Sequence, residues 1–238
     1  MKNIRLSIDS RPYVLMQRTE LLPKRNNSLF RKFLTKIGLR EDDNDYLYYY
    51  AKNYPEVIDS KYSEIMESEA RFVMQHVPKK ISKILDIGCG IPALQTYLFH
   101  LLDSNPQLFL LDRTRIEQSI WYLYRKKSAF YNSLEIGEEI LKLNKVPPEN
   151  INLIEAPDDG KINLEPKSFD LIISTISWGF HYPISLYIES VCKILSDSGI
   201  LIVDIRNNTE GEEALNTLFK TKVIKEKKKY RTLKCVKI

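Results

Sequence analysis

Residues 81–92 combine a carboxylate with two glycines at a spacing that suits a ligand-binding turn. Asp86 lies near the end of an apolar, β-like run, and Gly88 and Gly90 follow it with one residue between them. Glycine has no Cβ, so its backbone can take positive φ and approach a ligand closely. Pro92 suits the first turn of a helix, where its missing N–H would have no intrahelical partner. The pattern predicts a strand, a turn that binds a nucleotide-like cofactor, and a helix.

Two cofactors fit the glycines. Gly88, Gly90 and Ala93 satisfy a loose dinucleotide fingerprint, and Asp112 follows at the distance of about 20 residues that a ribose contact requires. Asp86 distinguishes the two cofactors. A carboxylate here would lie unfavourably beside an anionic pyrophosphate, but favourably near the cationic amino-acid portion of S-adenosylmethionine. The charge pattern therefore favours the methyl donor over NAD.

Four segments resemble, in their order along the chain, the motifs of the class I S-adenosylmethionine-dependent methyltransferases, a Rossmann-like superfamily. They are residues 85–90, 108–112, 168–174 and 199–204, and the resemblance runs from about Ser82 to the C-terminus. It implies an α/β fold with a mostly parallel seven-stranded sheet, flanking helices and a reversed C-terminal hairpin. It also implies an enzyme that uses S-adenosyl-L-methionine as its cofactor.

The resemblance also implies roles for individual residues. Asp112 is expected to hold both ribose hydroxyls. Asp158 falls where the family places an acid that accepts from the adenine amino group, although Asp159 could serve instead. The expected cofactor-binding residues are Asp86, Gly88, Cys89, Gly90, Asp112, Arg113, Asp158 and Ser174.

We expect the chemistry in the loop that leaves the predicted fourth strand. Methyl transfer from a sulfonium is an in-line displacement, and a hydroxyl acceptor must also lose a proton. His181 is the best base in this loop because imidazole titrates near neutral pH, although a lone loop histidine is more often structural than catalytic. Tyr182 could orient this base or line the pocket. Trp178 and Phe180 could form an apolar wall for the acceptor or the sulfonium, or pack beneath the next helix.

The elements that position these residues follow from alternating apolar and amphipathic runs, which indicate repeated β-α units. Strands are predicted near 82–87, 107–112, 151–155, 169–175 and 199–205. Helices are predicted near 92–103, 133–145, 184–195 and 210–219, with Asn207–Thr209 as a cap for the last one. Lys222–Ile224 and Tyr230–Val236 are predicted to form the final antiparallel hairpin, with residues 225–229 as its charged turn.

Two segments depart from the common sheet. Residues 1–80 form a predicted helical N-terminal extension, with helices at 27–37 and 60–76 and a tyrosine-rich stretch at 45–55; it could be a lid or pack as ordinary structure. Residues 81–238 form the predicted cofactor-binding domain, which carries an insertion near 113–132. Trp121 and Tyr124 of this insertion are candidate substrate-binding residues, and the alternative is a private core or a dimer contact.

The acceptor is expected to be a small molecule or sugar that is methylated on oxygen. No Asn-Pro-Pro-Tyr type motif follows the fourth strand, which disfavours exocyclic base nitrogen. An RNA or protein acceptor guided by the basic hairpin remains an alternative, although lysines also protect a solvated sheet edge. A cofactor-binding regulatory subunit without transfer activity is a further alternative.

Composition supports a compact enzyme. The chain has 238 residues, a net charge of +5 and three widely separated cysteines, which predict neither a disulfide framework nor a zinc site. It has no signal-peptide pattern and no apolar run of the roughly 18 residues that a membrane span needs. We therefore expect a cytoplasmic protein with no metal and no membrane partner, whose oligomeric state the sequence leaves open.

Overall fold

The computed structural model describes residues 3–22, 43–116 and 131–238. The helices are α1 (Ser10–Gln17), α2 (Asp43–Asn53), α3 (Pro55–Met74), α4 (Ala93–Leu101), α5 (Leu134–Leu143), α6 (Ile188–Ile194) and α7 (Gly211–Asn216). The strands are β1 (Lys83–Ile87), β2 (Gln107–Asp112), β3 (Arg115–Ile116), β4 (Tyr131–Asn132), β5 (Ile151–Glu155), β6 (Phe169–Ser174), β7 (Ser177–Tyr182), β8 (Leu195–Arg206), β9 (Phe219–Glu226) and β10 (Tyr230–Lys237). Short 3₁₀ helices lie at Thr19–Leu21, Pro148–Asn150 and Ile184–Leu186.

Seven strands form one sheet in the order β5-β2-β1-β6-β8-β10-β9. The first five are parallel, whereas β10 is antiparallel to β8 and β9 is antiparallel to β10. The chain builds outward from β1 to β5 and then returns to the other side of β1 to begin β6. This reversal is a topological switch point, beside which open α/β sheets bind ligands at the carboxyl ends of their strands. The predicted fold class is confirmed.

The central strands are almost wholly apolar because both faces of the sheet are covered by other elements. In β1, Ile84 packs into a hydrophobic core on one face, whereas Leu85 and Ile87 pack into a second core on the other face. Side chains alternate along a strand, so Asp86 projects toward the face of Ile84. The N-terminal helices lie on that face.

The N-terminal segment shares a hydrophobic core with the sheet. Val14 and Leu15 of α1, together with Leu47 of α2 and Tyr62 of α3, are buried in the same cluster as Ile84. Helix α3 begins with Pro55 at its N-terminus, five residues before the predicted start, as expected for a proline whose fixed φ suits the first helical turn. The predicted helix at 27–37 lies outside the described residues. Within the described ranges, no helix has both the length and the apolar character that crossing a membrane requires.

Within the described residues, the predicted strands and helices are found with differences at their ends. The helix predicted near 184–195 is divided into the 3₁₀ turn Ile184–Leu186 and α6, and β9 continues to Glu226, so the hairpin turn is shorter than predicted. Strand β8 starts at Leu195, earlier than predicted, and α7 ends at Asn216 because the chain must begin β9 at Phe219. The predicted cap of α7 is wrong: the helix begins after Glu210 without a side-chain cap. Asn207 instead donates its side-chain amide to carbonyls of the hairpin turn, a contact between distant segments that local sequence does not reveal.

The sequence predicts a loop after the fourth strand, but this prediction is wrong: the segment forms strand β7. It lies beside the end of β8, where a Cβ on Gly179 would lie 2.7 Å from the Asp204 carbonyl oxygen. Gly179 has φ +89°, so the close approach and the backbone conformation both require glycine. The candidate catalytic residues therefore lie on an extended segment rather than a mobile turn.

Candidate cofactor site

The glycine turn after β1 has the backbone geometry that its sequence predicts. Gly88 and Gly90 have φ +76° and +54°, values that favour glycine because other residues bring Cβ against the backbone. A Cβ on Gly88 would overlap the side chain of Ser177, and a Cβ on Gly90 would lie 2.6 Å from Gln17 Oε1. Both glycines therefore let the Ser177 and Gln17 side chains pack directly against the turn, where a larger residue would displace them.

Asp112, at the carboxyl end of β2, is tied to the glycine turn. Its Oδ2 accepts a hydrogen bond from Gly90 N at 2.8 Å, and its Oδ1 accepts from Arg113 N at 2.7 Å. Burial raises the pKa of the Asp112 carboxyl, and these backbone donors oppose that rise. The parallel register of β1 and β2 places the acid beside the turn, where the resemblance predicted a ribose contact.

Asp86 is a buried acid with an unsatisfied oxygen. The residue is 2% exposed, and its Oδ1 has no hydrogen-bond partner among the described residues. Burial raises the pKa of Asp86 well above its usual value, and the nearby charge of Asp112 raises it further. An oxygen left in this state is costly unless a donor or cation meets it. The cationic amino group of S-adenosylmethionine is a donor of the required charge, so this residue fits that cofactor.

A narrow cavity connects the turn to the ends of β2 and β7. It is lined by Gly88, Asp112, Arg113, Ser177, Tyr182 and Tyr187, among others, and has a volume of about 30 Å³. This cavity, called the cradle below, brings the glycine turn, Asp112 and the end of β7 into one site.

The two acids predicted near the adenine take different positions. Asp158 pairs with Arg113 at 2.6 Å, although the Asp158 side chain is 91% exposed. Asp159 turns to Lys161, whose backbone N donates to Asp159 Oδ1 at 3.0 Å. Only Asp158 therefore contacts a residue that lines the cavity. Ion pairs this exposed are weak, so Asp158 can exchange Arg113 for another donor at little cost.

Ser174 and Trp178 are completely buried. Ser174 Oγ donates to the Ile87 carbonyl at 2.7 Å and accepts from Trp178 N at 2.9 Å. The Trp178 indole donates to the Ile184 carbonyl at 3.1 Å and packs against Tyr187. Trp178 thus packs beneath the next helical turn and also lines the cavity, so both interpretations of this residue stay open. Ser174 joins β6, β1 and β7 through backbone groups.

The candidate base and its neighbours lie at the end of β7. Tyr182 lines the cavity, and burial raises its pKa to about 12, so its hydroxyl stays protonated at neutral pH. His181 contacts Phe180, at 4.9 Å between ring centroids. Partial desolvation of the ring, followed by the charge of Arg206, lowers the pKa of His181, although the residue as a whole is exposed. A neutral imidazole is the form that can accept a proton.

Phe180 has an aromatic and cationic environment that the sequence did not reveal. The Arg206 guanidinium lies 5.4 Å from the Phe180 ring centroid, and the Tyr230 ring lies 6.1 Å from it.

Burial raises the pKa of the Cys89 thiol well above its usual value, so the thiol stays neutral inside the turn. Trp121 and Tyr124 lie outside the described residues. The antiparallel pair of β3 and β4 joins the two ends of the insertion that contains Trp121 and Tyr124.

Two further residues reach the glycine turn from the N-terminal extension, and sequence reasoning missed both. Gln17 Oε1 accepts a hydrogen bond from Ile91 N at 3.0 Å, and the Tyr62 hydroxyl donates to the Ile91 carbonyl at 2.7 Å. They lie 74 and 29 residues from Ile91 in sequence. No local pattern could have connected either residue with the turn.

Asp204, near the end of β8, is a third acid at this edge of the sheet, and it is 3% exposed. Its Oδ1 accepts from Thr232 Oγ1 at 2.5 Å, and its Oδ2 accepts from Ile176 N at 3.1 Å. Burial, together with the charge of Glu69 of α3, raises its pKa to about 6, and this value includes the lowering effect of the hydrogen bonds from Thr232 and Ile176 and of the charge of Lys225 on β9. Tyr230 of β10 also interacts electrostatically with Asp204.

This acid predicts a pH dependence of stability. The folded protein binds the Asp204 proton more tightly than the unfolded chain, whose pKa is 3.8. The stabilising contribution is therefore complete below pH 3.8 and is lost as pH rises through about 6. The difference between the two values corresponds to about 3 kcal/mol.

The measurement is urea unfolding of the wild type and Asp204→Asn between pH 4.5 and 7.5. Lowered pKa values of His76 and His181 give the opposite slope, and the comparison with the variant removes their effect. We expect the wild type to lose about 2 kcal/mol more than the variant across this window. Equal slopes would contradict the prediction.

Comparison with known proteins finds a similarity of fold. The sequence matches no protein-family model and has no significant match among curated proteins. Its structure resembles precorrin-6y C5,15-methyltransferase from Geobacter metallireducens GS-15 with a TM-score of 0.50 and 17% identity, over 74% of this chain and 89% of that one. It resembles a ribosomal protein L11 methylase from Lactobacillus delbrueckii subsp. bulgaricus with a TM-score of 0.52 and 18% identity, over 72% and 76% of the two chains.

A SAM-dependent O-methyltransferase from Thermotoga maritima gives a TM-score of 0.51 at 14% identity, over 72% of this chain and 65% of that one. At these identities the likeness concerns the fold. The chain therefore has the Rossmann-like fold of the class I S-adenosylmethionine-dependent methyltransferases, as the four sequence motifs predicted.

Proposed function

We propose that this protein is an S-adenosyl-L-methionine-dependent methyltransferase that methylates an oxygen of a small molecule or sugar. The observation that carries the proposal is the glycine turn at the switch point of the sheet, flanked by the buried acid Asp86 and by Asp112. NAD also needs an acid at the position of Asp112. Asp86 separates the two cofactors, since its partnerless oxygen suits a cation and not a pyrophosphate.

The residues present fit the cofactor in definite ways. Asp112 would accept from the ribose hydroxyls, and Asp86 would accept from the amino group. Gln17, beside Gly90, would close the site from the N-terminal extension, which supports the lid interpretation of residues 1–80. When bound, S-adenosylmethionine supplies an electrophilic methyl group on a sulfonium centre.

The proposal is tested by thermal unfolding with S-adenosylmethionine, S-adenosylhomocysteine and NAD. A ligand at 100 times its Kd stabilises a protein by about 2.7 kcal/mol, which corresponds to roughly 5–10 °C in Tm for a chain of this size. We expect a rise with the two sulfur nucleosides and none with NAD. A rise with NAD alone would overturn the proposal.

His181 is the proposed base for the hydroxyl acceptor. Its lowered pKa keeps the imidazole neutral at pH 7, and Tyr182, with its raised pKa, remains a hydrogen-bond donor. We expect His181→Gln to lower kcat at least tenfold and to leave the Kd for S-adenosylhomocysteine within twofold, because a base acts on the acceptor proton.

The assay measures S-adenosylhomocysteine formed with a panel of hydroxyl acceptors. His100→Gln is the matched control, since that ring contacts the Asn144 carbonyl just after α5, away from the turn. Normal turnover in the His181 variant would assign the histidine a structural role.

An RNA acceptor is the second candidate, and one observation favours it. The hairpin turn Lys227–Lys229 is exposed and packs against Asn207, just after β8, where Asn207 N donates to the Lys229 carbonyl at 3.0 Å. The lysines therefore lie at the same sheet edge as the cofactor site. If RNA is the acceptor, kcat/KM should fall at least tenfold between 50 and 200 mM salt through loss of phosphate contacts; a small uncharged acceptor should change it less than threefold.

A further inference from the structure

Ile176 has an unfavourable backbone conformation in the turn between β6 and β7. Its φ is +51°, in the left-handed region where a β-branched side chain is crowded by its own backbone. The other described non-glycine residues with positive φ lack this branching; they are Asn105, Lys145, Lys167 and Asn208. Conformations of this kind persist only where the surroundings enforce them, and they cluster at functional sites.

Two side chains enforce the conformation of this turn. Asp204 Oδ2 accepts from Ile176 N at 3.1 Å, and Ser174 Oγ accepts from Trp178 N at 2.9 Å. Asp204 is itself held by Thr232, which faces it across the β8–β10 pair and donates at 2.5 Å. Thr232 thus holds the Asp204 carboxylate on the sheet, in the position where its other oxygen accepts from Ile176 N.

The turn determines where Ser177 lies. Ser177 follows Ile176 directly and fills the space that a Cβ on Gly88 would occupy. It also lines the cavity with Asp112 and Tyr182. A rotation of the Ile176 backbone toward an ordinary φ would carry Ser177 away from the glycine turn, because the two residues share a peptide bond.

We propose that Asp204 is a positioning residue for the cofactor site: its carboxylate holds Ile176 in the left-handed conformation and so places Ser177 against Gly88. The inference rests on the proposed function, since it treats the Gly88 cradle as the cofactor site. It assigns a role to a buried acid on β8 that does not itself line the cavity. Ser177 is the residue through which Asp204 acts.

The test is isothermal titration with S-adenosylhomocysteine. We expect Asp204→Ala to weaken binding at least tenfold. Asp197→Ala is the matched control, because Asp197 lies on the same strand, is 72% exposed and pairs with Lys167. This variant should bind within twofold of the wild type.

A double variant tests the route through Ile176. Glycine adopts the left-handed conformation without help, so in an Ile176→Gly background the Asp204→Ala defect should shrink to less than threefold. Wild-type affinity in Asp204→Ala, or an equal defect in both backgrounds, would overturn the proposal.

Amide hydrogen exchange of Ile176 without ligand separates this inference from the proposed function. Exchange should accelerate at least tenfold in Asp204→Ala and not in Asp197→Ala, whether or not the nucleoside binds. If Asp204→Ala fails to fold, Ile176→Gly and Ile176→Ala provide the test. Both variants lose all side-chain atoms beyond Cβ. The glycine variant should have the higher Tm, because glycine adopts a positive φ without steric cost. An unchanged exchange rate, or a higher Tm for the alanine variant, would show that the carboxylate does not hold a strained turn.

Discussion

Replacing Gly88 with alanine is expected to reduce the affinity for S-adenosylmethionine by more than a thousandfold. The new methyl group would lie at φ +76°, which costs roughly 1–2 kcal/mol for a residue with a Cβ. It would also overlap the side chain of Ser177, so that Ser177 would have to move into the narrow cavity between the turn and Tyr182. The cradle would then be filled from two sides, and isothermal titration with S-adenosylhomocysteine should show no binding.

The matched control is Gly137→Ala, which lies against the other side of the same turn. A Cβ on Gly137 would meet Pro92 Cδ at 3.4 Å, an ordinary contact, and Gly137 lies within helix α5, where alanine is favoured over glycine by about 1 kcal/mol. This variant should bind normally and unfold at the same or a higher temperature. Circular dichroism on both proteins verifies that they are folded. Binding by Gly88→Ala within tenfold of the wild type would show that the cradle is not where the nucleoside lies.

Replacing Asp112 with alanine is expected to weaken S-adenosylmethionine binding at least a hundredfold. Each hydrogen bond to a charged group contributes about 1.5–3 kcal/mol, and the proposed contact includes two ribose hydroxyls. The variant also loses the acceptor for Gly90 N, which leaves a backbone donor of the turn without its partner. Equilibrium binding of S-adenosylhomocysteine measures the effect.

Glu155→Ala provides the control, because Glu155 is the strand-register partner of Asp112 on β5. It is the same kind of acid at the same sheet edge, and it accepts from Thr114 N at 3.2 Å rather than from the glycine turn. We expect a change of less than threefold. If both variants weakened binding equally, general loss of negative charge, and not a ribose contact, would be the cause.

The fold was predictable because its signals are local. Buried parallel strands require short apolar runs, the sharp turn after β1 requires Gly88 and Gly90, and each run could be recognised within a few residues. The spacing of Asp86 and Asp112 around those glycines also placed two of the three acids of this sheet edge correctly. The loop prediction for residues 177–182 failed because a strand beside β8 depends on the neighbour it meets, and not on its own sequence.

The candidate site was only partly predictable. Trp178 could be placed in the chain, but its burial depends on Ile184 and Tyr187, which fold back over it. Gln17 and Tyr62 reach Ile91 only because the N-terminal helices share a core with the sheet.

By itself, the sequence determined the strand–turn–helix unit, the order of the β-α units and the identity of the acids after β1 and β2, since these follow from backbone conformation and periodicity over neighbouring residues. The tertiary structure alone decided that Asp204 and Thr232 support the turn at Ile176, that Gln17 lies on Gly90, and that Ser177 packs against Gly88. Those contacts join residues far apart in the chain, and they exist only once the sheet has brought its strand ends to a single edge.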